Sequence, residues 1–125
     1  MSALHDVVVL EFARNVAGPY CGRLFADLGA TVLKAEPPEG APLRLAEPLA
    51  GGESAFFNYL NAGKRGIVAR VGDAGLAGAL ARADIVIHDL LGEEAEALET
   101  AAAAANPAAV VISLSPYGRW GERSG

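Results

Sequence analysis

An open parallel α/β sheet covered by helices is the fold the sequence predicts, and three observations carry it. Apolar, β-branched runs too short for helices recur at Val7–Leu10, Thr31–Glu36, Gly66–Val71, Asp84–His88 and Ala109–Leu114. Segments of helical character alternate with them almost throughout. Gly18-Pro19, Gly29 and Asn106-Pro107 punctuate the boundaries between the two kinds of segment.

Taken in order, Val7–Leu10 with Phe12 reads as a strand buried on both faces. Pro19 suits the first turn of a helix, where its missing N–H costs nothing. Ala17, Tyr20, Cys21, Leu24, Phe25 and Leu28 follow at three- and four-residue spacing and form one apolar stripe. Cys21 is therefore read as a buried, inert thiol. Gly29 stops this helix and Thr31–Glu36 returns as a second strand, which makes a right-handed βαβ unit. Pro37–Gly52, rich in proline and glycine, reads as an irregular excursion in which Arg44 is a solvated side chain. Ser54–Leu60 suits a short helix, and the turn after Asn61 leads into the strand Gly66–Val71. Asp73 caps a helix reaching Arg82 that Gly75 and Gly78 weaken. After the strand ending at His88, Glu93–Ala105 is a helix by propensity, with acids at its positive end. Its run Glu93, Glu94, Glu96, Glu99 reads as a solvated face. The stretch after Leu114 is loop-like, with Tyr117 and Trp120 expected to cover core in an intact protein.

The 125 residues make one domain, long enough to bury roughly two-thirds of the unfolded surface. A net charge of −5 argues against a general nucleic-acid binder, which needs a basic face. One cysteine excludes an internal disulfide and fits a reducing compartment, so a cytoplasmic location is expected. Neither a metal site nor a membrane span is expected, because His88 lacks metal-spaced partners and no apolar run approaches the roughly 20 residues of a span. In a βαβ unit the turn after the first strand lies at the carboxyl edge, where N–H groups of the following helix make an anion site. Small residues at Ala17 and Gly18 suggest close approach of a ligand to that turn. Neither a G-x-G-x-x-G fingerprint nor a P-loop is present, which disfavours a nicotinamide or nucleoside triphosphate site. Lys64 and Arg65 are open to two readings, a solvated turn or contacts to a phosphate or substrate.

The motifs gain meaning from their order. Ala17-Gly18-Pro19, Ala26-Asp27-Leu28-Gly29-Ala30, Val32-Leu33-Lys34-Ala35-Glu36, Asn61 with Lys64-Arg65, Ala83 to Ile87, Asn106-Pro107 and Ser113 to Gly121 succeed one another along the chain. This series resembles the opening third of the class III coenzyme A-transferases, the family that also contains α-methylacyl-CoA racemases. The resemblance implies that residues 1–125 are the amino-terminal part of a large Rossmann-like CoA-binding domain, incomplete at its carboxyl-terminal side. It implies acyl-CoA as the small-molecule substrate, with coenzyme A as acyl carrier. It also implies two subunits interlocked as rings, or a second chain that supplies the missing part. In such transferases an aspartate carries the acyl group covalently, as a mixed anhydride and then an aspartyl-CoA thioester, and that aspartate has no counterpart in these 125 residues. Carried over by position, Val16, Ala17, Ala69, Arg70, Asp89 and Leu90 would contact coenzyme A. One departure stands out. Where the family has an Asn-Phe-Arg-Pro-Gly-like turn and a nearby phosphate-binding arginine, this chain runs Asp89-Leu90-Leu91-Gly92-Glu93-Glu94-Ala95-Glu96. Acids near a phosphate erode affinity by about 1 kcal/mol per pair at 4 Å in water. Three alternatives therefore stay beside a CoA-transferase segment: a racemase-like enzyme, a non-catalytic family member or assembly half-domain, and an unrelated nucleotide-binding module.

Overall fold

The computed structural model describes residues 2–124. Its main sheet contains β1 (Val8–Phe12), β2 (Thr31–Glu36), β5 (Arg65–Val68), β6 (Ile85–His88) and β7 (Val110–Ser113). All pairings are parallel, in the order β5-β2-β1-β6-β7. A separate two-stranded ribbon pairs β3 (Leu49–Ala50) with β4 (Glu53–Ser54), inside the segment that the sequence left irregular. A 3₁₀ turn at Pro42–Leu45 precedes it.

Right-handed crossovers divide the helices between the two faces. On one face lie α1 (Ala17–Asp27) and α2 (Ala55–Asn61), and on the other α3 (Ala74–Arg82) and α4 (Gly92–Ala105). Strand alternation gives each face its own core. Leu10, Phe12, Ala35 and Val86 pack with Leu76, Leu80, Ala95 and Leu98, while Val9, Val32 and Ile87 pack with Phe25 and Ala26.

Several expectations are corrected. The apolar stripe of α1 faces the sheet only in part: Cys21 and Phe25 pack toward it, whereas Tyr20, Leu24 and Leu28 are about half exposed, and Gly18, Pro19 and Gly22 are the buried residues. The glycines let the helix axis sit close to the strands, with Tyr20, Leu24 and Leu28 left on the outer side. Cys21 is in consequence only partly buried. Burial, then the Glu11 charge, still push its thiol pKa up against the influence of Lys64. Arg44 is not merely solvated. It donates to both oxygens of Glu36 at 2.7 and 2.8 Å and lies 4.3 Å from the Phe57 ring centroid. Burial alone would raise the Glu36 pKa, but the Arg44 hydrogen bonds, the Ala41 N–H and the charges of Arg44 and Lys34 hold it below the ordinary value. The α4 acids are only partly a solvated face, since Glu94 and Glu99 are paired.

Candidate functional site

The strands direct their carboxyl ends to one edge, and the strand order reverses between β1 and β6. In an open parallel sheet that reversal opens a crevice between the two turns, where ligands bind. Here the turns are tied together. The Asp89 carboxylate, just past β6, accepts the Arg14 N–H at 2.9 and 3.0 Å and the Asn15 N–H at 2.6 Å. Gly18 lies beneath the same turn, and a Cβ there would overlap that of Ala13. Its lack of a side chain thus makes room for the chain's own packing.

Beside this crosslink lies a cavity of about 220 Å³, lined by Phe12, Arg14, Pro37, Glu39, Arg70, Val71 and Glu94. These residues come from the ends of β1, β2 and β5 and from the first turn of α4. Two guanidinium groups face it, each already paired. Arg14 meets Glu94 at 2.5 Å, and Arg70 holds Glu39 through two bonds of 2.9 and 3.1 Å. The Glu39 carboxyl is held below its ordinary pKa by its own backbone N–H first, then by Arg70, with a further contribution from Arg14. The volume falls below the roughly 300–1,000 Å³ of a complete small-molecule site. A second cavity of about 780 Å³ lies beside β7 and is lined by Glu96, Glu99, Val111, Ser113, Arg119 and Trp120, among others. The Trp120 ring there is 89% exposed.

Of the six positions carried over from the resemblance, Arg70 lines the smaller cavity. Val16 and Ala17 are exposed at the start of α1, on the same edge. Ala69 and Leu90 are buried at 3% and 2%, so any contact they make with a ligand runs through the main chain. Asp89 is only 9% exposed and uses both oxygens on the β1 turn.

Lys64 follows neither sequence reading. Its side chain is 2% exposed, and Nζ donates to Glu11 Oε1 at 2.5 Å, Pro19 O at 2.7 Å and Asn61 Oδ1 at 2.8 Å. Burial lowers its pKa, and the Glu11 charge opposes that. Lys34 donates to the other Glu11 oxygen at 2.6 Å. The signal for this buried trio was present, because Glu11 and Lys34 interrupt two apolar strands at positions paired in register. His88, fully buried, accepts the Leu90 N–H on Nδ1 at 3.2 Å, which leaves Nε2 to donate to Glu99 at 2.9 Å. Arg119 joins the same Glu99 oxygen at 2.6 Å. Among the described residues there is no cluster of three or more metal-ligating side chains and no helix long and apolar enough to cross a membrane.

Residues 4–125 match the family model described as CoA-transferase family III. The chain is 37% identical over 98 residues to the succinyl-CoA:mesaconate CoA-transferase of Haloarcula marismortui, covering 71% of this chain and 25% of that protein. It is 34% identical over 137 aligned residues to the succinate–glutarate CoA-transferase of Agrobacterium fabrum, covering 94% and 33%. Among solved structures, a CAIB/BAIF family protein from Brucella suis superimposes with a TM-score of 0.83 at 32% identity, covering 99% of this chain and 37% of that one. The chain thus spans about a quarter to a third of the curated relatives it matches.

Proposed function

The chain belongs to CoA-transferase family III, and from that premise we propose that it forms one wall of the coenzyme A site of a transferase moving CoA between carboxylic acids. One observation carries the reading: an arginine-bearing cavity sits on the carboxyl edge of a parallel sheet whose relatives are CoA-transferases. In this proposal Arg14 and Arg70 face the phosphates. Val16 and Ala17 border the crevice from the β1 side, the main chain of Ala69 from the β5 side, and that of Asp89 and Leu90 from the β6 side. The transferred acyl group rides on an aspartate outside these residues, so the chain binds and orients but does not itself supply the nucleophile. Assembly as a homodimer, or with a second chain, and a cytoplasmic setting belong to the same proposal.

The acidic stretch that set this chain apart from the family supports a non-catalytic member less strongly than its sequence suggests. Glu94 is neutralised by Arg14, and Glu99 by Arg119.

Titration calorimetry of the intact protein with coenzyme A and with adenine nucleotides tests the reading. Micromolar binding selective for CoA is expected, with loss in Ala17→Arg, whose exposed position tolerates the larger side chain. A folded protein that takes up no CoA, or whose CoA affinity is untouched by Ala17→Arg, contradicts it.

A further inference from the structure

The smaller cavity is electrically balanced, two guanidinium groups against two carboxylates, all four on its wall. Neither ion pair is buried. Arg14 and Glu94 are 42% and 39% exposed, and Arg70 and Glu39 are 56% and 60% exposed. Pairs so open to solvent contribute little to stability, and breaking one leaves no stranded buried charge. The carboxylates also have somewhere to go. Glu94 lies in the first turn of α4, where the positive helix end favours a free carboxylate, and Glu39 is on a solvent-facing loop after β2. The main chains of the two arginines are tied to the edge. The Arg14 N–H is held by Asp89, and the Arg70 N–H donates to Asp73 at 2.7 Å. Both arginines thus stay at the edge when their carboxylate partners are replaced.

We propose that Glu39 and Glu94 are exchangeable counter-anions: they hold Arg14 and Arg70 in place without ligand and give way to a diphosphate, whose oxygens take over the guanidinium donors. A diphosphate matches the planar fork of Arg14 better than the single Glu94 oxygen does, and it can offer Arg70 the same two-bond pairing that Glu39 now supplies. The two glutamates thereby set the affinity of the edge for diphosphates, lowering it and making it depend on salt. This deepens the coenzyme A reading and rests on it for the identity of the natural ligand, but not for the exchange itself.

The test follows the arginine side-chain N–H signals of the intact protein by NMR, with inorganic pyrophosphate in one arm and coenzyme A in the other. Calorimetry of Glu94→Gln and Glu39→Gln accompanies it. Saturable movement of the Arg14 and Arg70 signals is expected in both arms. Each glutamine variant should bind pyrophosphate about three- to tenfold more tightly, because a competing charge is gone. Arg14→Gln with Arg70→Gln should abolish the effect. Glutamine variants that bind pyrophosphate no more tightly than the parent overturn the exchange, even where CoA binds. Pyrophosphate uptake with the expected tightening, but no CoA binding, leaves the exchange standing and removes the coenzyme A reading. No binding of either ligand by any variant removes both.

Discussion

Glu11 is fully buried and shared by two ammonium groups, Lys34 on one oxygen and Lys64 on the other. Desolvating three charges is costly, and the mutual attraction offsets that cost only while the carboxylate stands between the two cations. The pieces are therefore unequal. Glu11→Gln leaves two buried ammonium groups facing each other without an anion, and we expect it to cost at least the about 3–5 kcal/mol of a broken buried pair. Lys64→Met leaves the Glu11–Lys34 pair intact and removes a cation whose pKa burial already lowers. It should cost less, about 1–3 kcal/mol for the hydrogen bonds lost. Urea unfolding of the two variants gives the order directly, and a Lys64 variant less stable than the Glu11 variant would contradict the arrangement.

Among the elements, α1 shows most plainly what packing decides and propensity does not. Glycine inside a helix ordinarily costs about 0.5–1 kcal/mol relative to alanine. At Gly78 in α3 a Cβ meets nothing within 4 Å, so Gly78→Ala should stabilise by about that amount. At Gly22 a Cβ would overlap Glu11 Oε1 and stand 3.1 Å from Lys64 Nζ. There the same substitution should destabilise by about 1–3 kcal/mol, because the buried trio has no room to yield. Thermal melting of both alanine variants checks the opposite signs. The same contrast marks how far the sequence could be read. The five strands of the main sheet, the four helices, their order and the stop at Gly29 follow from local pattern, since each depends on a few neighbouring residues, whereas the β3–β4 ribbon was not foreseen. The facing of α1 does not, because Tyr20, Leu24 and Leu28 form as good a stripe as any buried one. Only the fit of Gly18 against Ala13 and of Gly22 against Glu11 turns that stripe outward. Among the cavity-lining residues, Arg70 was legible through the family resemblance, at a place that agrees with the rule that ligands gather at the carboxyl ends of strands. Arg14, Glu39 and Glu94 were not, since the pairs 14 with 94 and 39 with 70 span 80 and 31 residues and exist only once the sheet is assembled.

For the molecule as a whole, the strand order places the turns after β1, β2, β5 and β6 along one edge, with the arginine-lined cavity on it. The opposite edge carries the turns that enter the strands, and the Asp84 carboxylate there accepts the Val8 N–H at 2.8 Å. The outer strands β5 and β7 expose Val68 and Val110 at 73% and 59%, while β1 is buried at the centre. On the proposed reading, function is polarised to one end of the sheet. The most direct measurement is amide shift mapping of the intact protein during titration with coenzyme A. We expect perturbations confined to the carboxyl edge, at Arg14 to Ala17, Glu39, Ala69 to Val71 and Asp89 to Glu94. Shifts centred on the opposite edge, around Val7, Ala30 and Ala83, or no shifts at saturating coenzyme A, would contradict the assignment.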